Sequence, residues 1–174
     1  MLLNKTKNKI NLTNEIKLIL PLIIIALVSL SLDQITKTIV RNEIAIKGTI
    51  EVIRGFFEIS YSENTGAVFG SFQGRNSIFI IVSFLAIIFI FFYYSKFKES
   101  LWMKLALGFI LGGALGNLAD RIFFGFVTDF LRFKIWFLRP FWWPNFNIAD
   151  ASVTIGALML FIGMFRINWK LADE

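Results

Sequence analysis

The sequence predicts an all-α polytopic membrane protein with four transmembrane helices, a small extracytoplasmic β-sheet cradle and an interfacial aromatic segment. Three observations predict it. Of 174 residues, 56% are hydrophobic and the mean hydropathy is +0.68, more apolar and less charged than a soluble domain. Four apolar runs approach the roughly 20 residues that cross a bilayer. Between the first two runs the pattern changes to an alternation of period two, the mark of a half-buried strand. A single domain over 1–174 is expected, with spans at about 17–37, 77–95, 101–120 and 149–167, a cradle at about 44–72 and the aromatic segment at about 122–147.

The first run, Leu18–Leu32, follows a polar stretch bearing Lys5, Lys7 and Lys9. A secretory signal peptide opens in the same way, but no small-x-small cleavage site follows Leu32, so an uncleaved first helix is expected. Asp33 and Lys37 stand four residues apart at its outer end and can pair across one turn. Spacing alone leaves two readings open, a charge pair marking the helix exit or groups facing a site. In the cradle, Phe57, Ile59 and Tyr61 alternate with Glu58, Ser60 and Ser62, and Ile50 and Val52 flank Glu51 as a partner strand. Asn64-Thr65-Gly66 reads as a turn, and Gly66 and Gly70 allow close backbone approach. An ordinary hairpin is the competing reading of this loop.

Ile78–Tyr94 is the second span and Leu101–Ala119 the third, joined by a short turn with Lys96 and Lys98. Residues 131–146 carry Phe133, Trp136, Phe137, Phe141, Trp142, Trp143 and Phe146, with Pro140 and Pro144. Such a stretch fits a re-entrant or interfacial segment at headgroup level, either a plain aromatic belt or a lipid grip. Ala151–Phe165 is the fourth span, ended by snorkelling Arg166, Trp169 and Lys170. With both termini inside, nine Lys and Arg residues fall on each side of the membrane. The first helix, which usually dominates topology, and the short Lys-bearing turn favour cytoplasmic termini. The polar segments and clustered carboxylates then face the outer surface.

Composition excludes whole classes of chemistry. There is no cysteine and no histidine, which removes thiol nucleophiles, disulfides, Ser-His and Cys-His mechanisms and histidine-ligated zinc. Any hydrolysis falls to carboxylates or lysine, with no cofactor and no metal expected. The net charge of +6 reports topology and lipid contact rather than nucleic-acid binding.

Two clusters of polar groups at membrane boundaries need a common explanation, because such groups are costly and usually functional. The first is Gly112–Phe130, GGALGNLADRIFFGFVTDF. Gly112, Gly113 and Gly116 admit a close neighbour, Asn117 and Arg121 share a helix face with Asp120 between them, and Asp129 follows. The second is Phe146-Asn147-Ile148-Ala149-Asp150, at the head of the last span. Two aspartates brought close in a site of low dielectric share one proton. The ionised member can then activate water while the protonated member polarises a carbonyl and protonates the leaving amine. Sequence spacing leaves open whether Asp129 and Asp150 meet or are simply solvated at helix ends.

Together with Asp33-Gln34-Ile35-Thr36-Lys37 and Asn64-Thr65-Gly66-Ala67-Val68-Phe69-Gly70, these motifs resemble lipoprotein signal peptidase, the type II signal peptidase of bacteria. The resemblance covers four ordered motifs from residue 33 to residue 150. It implies an aspartic endopeptidase with Asp129 (in Gly125-Phe126-Val127-Thr128-Asp129-Phe130) and Asp150 catalytic. Asn117, Asp120 and Arg121 match an Asn-x-x-Asp-Arg supporting element, and Asn147 would hydrogen-bond beside Asp150. Asp33, Lys37, Asn64, Gly66, Gly113, Gly116 and Ala149 are carried over as substrate-binding or support positions.

The implied substrate is a prolipoprotein carrying diacylglycerol on a cysteine, cut just before that cysteine at the outer face of the bacterial cytoplasmic membrane. Membrane lipids are the other expected partner, nucleic acid is not one, and a monomer is expected. A small transporter or channel subunit using Asp33, Asp120 and Asp150 is the competing reading. Ion paths place such groups near the midplane, within the spans, whereas here they gather at one boundary. A non-catalytic membrane adaptor would tolerate loss of Asp129 or Asp150. A Gly-x-Gly-Asp intramembrane protease is disfavoured by the neighbours of both aspartates.

Overall fold

Helix α4 (Leu101–Phe123) is the centre of the molecule, and helices α1 (Leu2–Ile39) and α5 (Ile148–Ala172) pack along it; α3 (Asn76–Phe97) leans on it over a smaller contact. The architecture is a computed structural model that describes residues 2–66, 74–97, 100–136 and 140–172. Of the features read from the sequence, residues 67–72 of the cradle, Lys98, Phe137 and the side chains of Lys5, Lys7, Lys9, Arg166, Trp169 and Lys170 lie outside the described residues.

Small residues let the helices meet. A Cβ on Gly112 would stand 2.6 Å from the Ala26 carbonyl oxygen of α1. One on Gly113 would collide with the Ala149 carbonyl oxygen of α5. Leu22, Ala26, Leu107, Leu111 and Ile90 of α3 form the apolar core at this junction. Outward faces are apolar too, with Leu27, Leu85, Ile88 and Phe161 all exposed. Among the described residues four helical stretches, Asn14–Lys47, Asn76–Tyr94, Leu101–Phe123 and Ile148–Phe165, are long and apolar enough to cross a membrane. Exposed leucine and phenylalanine all round a helix is the signature of lipid as solvent.

The helix α1 runs past the expected exit at Lys37. It passes through a π turn, Val40–Ile44, into a single turn α2 (Ala45–Lys47), and stops at Gly48, whose φ of 89° suits glycine. The cradle therefore starts later than residue 44, with β1 (Ile50–Ile53) and β2 (Phe57–Asn64). It also has two further strands, β3 (Val127–Ile135) and β4 (Phe141–Trp142), in an antiparallel sheet of order β1-β2-β3-β4. Both lie where the sequence reading placed an interfacial aromatic segment. The reason is visible afterwards: Leu131, Phe133 and Ile135 alternate with Arg132 and Lys134, a strand pattern masked by the aromatic content. Phe133 stacks on Phe57 at 4.5 Å and on Phe146 at 5.9 Å, so the aromatics form a ladder across strands. Val40 and Ile44 of the π turn bury against Phe130, fixing the sheet to the end of the first helix.

Register matters most at the start of β3. Asn64 pairs with Val127 and Ser62 with Asp129, so β2 brings Asn64 alongside the carboxylate. The loop from α4 turns through Gly125 at φ 82°, a left-handed conformation that places Asp129 back over the helix it just left.

Candidate active site

The site begins with a lysine. Lys37 has no exposed surface, an expensive position for an ammonium unless it is paired. Its Nζ lies 2.8 Å from Asp33 Oδ2 and 3.3 Å from Asp120 Oδ2, and donates to Asn117 Oδ1 at 2.9 Å. The other oxygen of Asp33 accepts the backbone N–H of Ala149 at 2.8 Å. That N–H is one of the orphan donors in the first turn of α5, so a side chain of α1 caps α5. Gly116 makes room for it, since a Cβ there would lie 2.5 Å from Asp33 Oδ2.

Asn147 begins α5 as its N-cap, and the pairing with Asp150 is reciprocal. The Asp150 N–H donates to Asn147 Oδ1 at 2.9 Å, and the Asn147 N–H donates to Asp150 Oδ2 at 3.2 Å. This is a capping box in which asparagine and aspartate take the usual places. Because the Asn147 carbonyl is committed to its own helix, its amide nitrogen points away and donates to Asp129 Oδ1 at 2.7 Å. The same nitrogen lies 3.2 Å from Asn117 Oδ1. Asn117 has its oxygen taken by Lys37 and Asn147, so its nitrogen donates to Asp150 Oδ1 at 2.7 Å. Asn64 completes the set: its Oδ1 accepts the Gly66 N–H at 3.0 Å and its Nδ2 donates to Asp129 Oδ2 at 2.8 Å. Three asparagines thus hold two aspartates, each with its amide orientation dictated by what its oxygen accepts.

Asp129 carries 2% of its surface exposed. Burial raises its carboxyl from the ordinary 3.8 to about 7, and the neighbouring charge of Asp150 pushes the same way. The hydrogen bonds from Asn64 and Asn147 and the charge of Lys37 oppose the shift without cancelling it. A carboxyl near neutrality beside a second carboxylate suits general acid–base work.

Both aspartates line a cavity of about 1080 Å³ with two chemically different ends. Asn64, Gly66, Asn117, Arg121, Asp129 and Asp150 make the polar end; Phe79, Val82, Ile110, Ala114, Val153 and Ile155 make an apolar reach between the membrane helices. The Arg121 guanidinium sits 4.9 Å above the Phe79 ring, and its peptide oxygen accepts from Asn76 at 3.0 Å. Among the described residues no group of three His, Cys, Asp or Glu is placed to hold a metal ion.

All thirteen residues named from the sequence therefore lie in one region, but they divide by depth. Asn64, Gly66, Asn117, Arg121, Asp129 and Asp150 reach the cavity. Asp33, Lys37, Asp120 and Asn147 are buried behind it, and Gly113, Gly116 and Ala149 serve close packing. Sequence reading missed Gln34, Arg41 and Thr128. Gln34 Nε2 touches Asp33 Oδ2, Asp120 Oδ1 and the Gly116 carbonyl at 3.2, 3.3 and 3.1 Å. A glutamine in an apolar run was the available signal for it. Arg41 counted only toward topology, because nothing local ties it to Asp120.

Comparison with known proteins places these motifs in a group. The profile of the signal peptidase (SPase) II family matches residues 25–166. The lipoprotein signal peptidase of Halothermothrix orenii is 41% identical over 143 residues, covering 82% of this chain and 94% of that protein. That of Symbiobacterium thermophilum is 41% identical over 150 residues, covering 85% and 96%. A bacterial membrane enzyme solved by the in meso method at 2.3 Å resolution superposes with a TM-score of 0.76 at 34% identity, over 83% of this chain and 87% of that one.

Proposed function

This chain belongs to the signal peptidase II family, and on that premise we propose that it is an aspartic endopeptidase cutting diacylglyceryl-modified prolipoproteins just before the lipidated cysteine. It is a membrane protein and a protease of lipoprotein processing. The observation that carries the finer reading is the pair Asp129 and Asp150, joined through Asn147 at the polar end of a cavity whose other end is apolar.

In this reading Asp129, raised to about 7 by burial and by Asp150, holds the proton, and Asp150 serves as the base. Asp150 takes a proton from water as the water attacks the scissile carbonyl. Asp129 donates to the carbonyl oxygen to give a gem-diol. As that intermediate collapses the C–N bond breaks, Asp150 passes the proton taken from water to the leaving amine, and a diol hydroxyl returns a proton to Asp129. Asn117 and Asn147 keep the Asp150 carboxylate aimed; Asn64 and Asn147 do the same for Asp129. The extended peptide lies along the polar end, beside β2, and the acyl chains enter the apolar reach from the bilayer.

The whole chain, 1–174, acts as one integral membrane peptidase domain and works as a monomer among membrane lipids. It lies in the bacterial cytoplasmic membrane with both termini cytoplasmic and the site near the outer face. The test is selective cleavage: purified protein in detergent shortens a diacylglyceryl-modified prolipoprotein and leaves the same precursor without its lipid intact. Equal cleavage of both would remove the lipid from the reading.

A further inference from the structure

Behind the sheet, on the side away from the cavity, Arg41 makes contacts that the reaction above does not use. The π turn carries it there. A π turn holds one more residue than an α turn, and here it buries Val40 and Ile44 against Phe130 while Arg41 lies toward α4 and β3. Arg41 Nη1 donates to Thr128 Oγ1 at 2.9 Å and lies 3.3 Å from Asp120 Oδ1. Its guanidinium lies 4.4 Å above the Phe124 ring, and its second nitrogen reaches Thr38 Oγ1 at 3.2 Å.

Asp120 closes the ring. Its Oδ2 accepts the Thr128 backbone N–H at 2.8 Å. β4 pairs only with Lys134 and Ile135, so at this point of β3 a carboxylate takes the place of a neighbouring strand. Thr128 is wholly buried, with its main chain tied to Asp120 and its side chain to Arg41. Adjacent residues of a strand point to opposite faces, so fixing Thr128 fixes the direction in which Asp129 leaves the sheet.

We propose that Arg41 is a positioning residue which, with Asp120, latches Thr128 from behind the sheet and so aims the Asp129 carboxyl into the cavity. The proposal rests on the reading of Asp129 as a catalytic group. Arg41 does not line the cavity; its effect passes through one side chain to the next residue.

Steady-state cleavage by wild type, Arg41→Gln, Arg41→Lys and Thr128→Val tests it. A misaimed carboxyl costs turnover, so Arg41→Gln and Thr128→Val are each expected to lower kcat about tenfold and leave KM within about twofold. Because both break the same bond, the double variant should be no slower than Arg41→Gln. Arg41→Lys, which keeps a cation beside Asp120, should recover part of the loss. Unchanged kcat in Arg41→Gln, a rise in KM alone, or losses that multiply in the double variant would each overturn the latch. If Arg41→Gln does not accumulate as folded protein, Thr128→Val decides by the same criteria. The infrared carboxyl band that vanishes in Asp129→Asn reads the aim without turnover. A shift or broadening of that band in Thr128→Val supports the latch, and an unmoved band overturns it, even where wild type fails to cut and the proposed activity itself falls.

Discussion

Asn147 donates its side-chain amide to Asp129 across 2.7 Å, so the residue that starts the last helix also holds a carboxyl on the sheet. Its two roles can be separated. Asn147→Ser keeps an oxygen able to cap α5 but cannot reach Asp129, whereas Asn147→Ala loses both. Both variants should lose turnover by about tenfold or more through misplacement of the acid. Only alanine should also lose about 1 kcal/mol of stability. Thermal unfolding beside cleavage kinetics checks the split.

Activity should fall as pH rises through about 7. Asp129, held at about 7 mainly by burial, is the proton donor in the proposed reaction and is spent once ionised. Its hydrogen bond from Asn64 opposes the upward shift, so Asn64→Ala should move the alkaline limb of the kcat/KM profile to higher pH. A limb that moves to lower pH, or stays put, would contradict the assignment.

The same proton has a consequence for stability. Asp129 has a folded value above its unfolded 3.8, so between about 4 and 7 the folded protein binds a proton the unfolded chain has released. Its stability contribution is complete below the unfolded value and is lost as pH rises through the folded one, by up to about 4 kcal/mol. Wild type should therefore unfold more readily at pH 8 than at pH 5. Asp129→Leu, which has no proton to lose, should show a smaller difference between those two pH values in thermal unfolding.

Lys37 lies between Asp33 and Asp120 with no surface of its own. Lys37→Met removes the cation and leaves buried carboxylates facing each other, which should cost about 3–5 kcal/mol. It also frees the Asn117 oxygen, so turnover should fall in whatever protein folds. Asp33→Asn combined with Lys37→Met should recover part of the stability, measured by thermal unfolding in detergent.

Gly113 faces the Ala149 backbone too closely for any side chain. Gly113→Val should separate α4 from α5 and cost more than about 3 kcal/mol. Gly125→Ala, strained by its φ of 82° but in open space, should cost about 1 kcal/mol. Comparing the two by unfolding separates helix contact from backbone strain.

The parts legible in the sequence are those written locally. Hydropathy alone marks the four spans, and the Asn147-to-Asp150 spacing is that of a capping box once a helix start is recognised. Strand β3 was harder, because Phe133 and its neighbours carry the signals of an interface as well as of a strand. Contacts across the fold left no local trace. Asp33 and Ala149 stand 116 residues apart, and Arg41 reaches Asp120 only because a π turn, which no composition rule announces, redirects it. The spacing supplied the pairing of Asp33 with Lys37 and the resemblance their place in a site; Asn117, Asp120 and Ala149 became their further partners only through the packing of α1 on α4 and α5.

Cleavage of purified diacylglyceryl-modified prolipoprotein by wild type, Asp129→Asn and Asp150→Asn is the most direct test of the central claim. The account predicts conversion by wild type and a loss of about 100-fold or more in each variant, with both variants folded by thermal unfolding. Cleavage by either folded variant at a rate comparable with wild type would contradict it, and would turn attention to Asp120 as the next carboxylate.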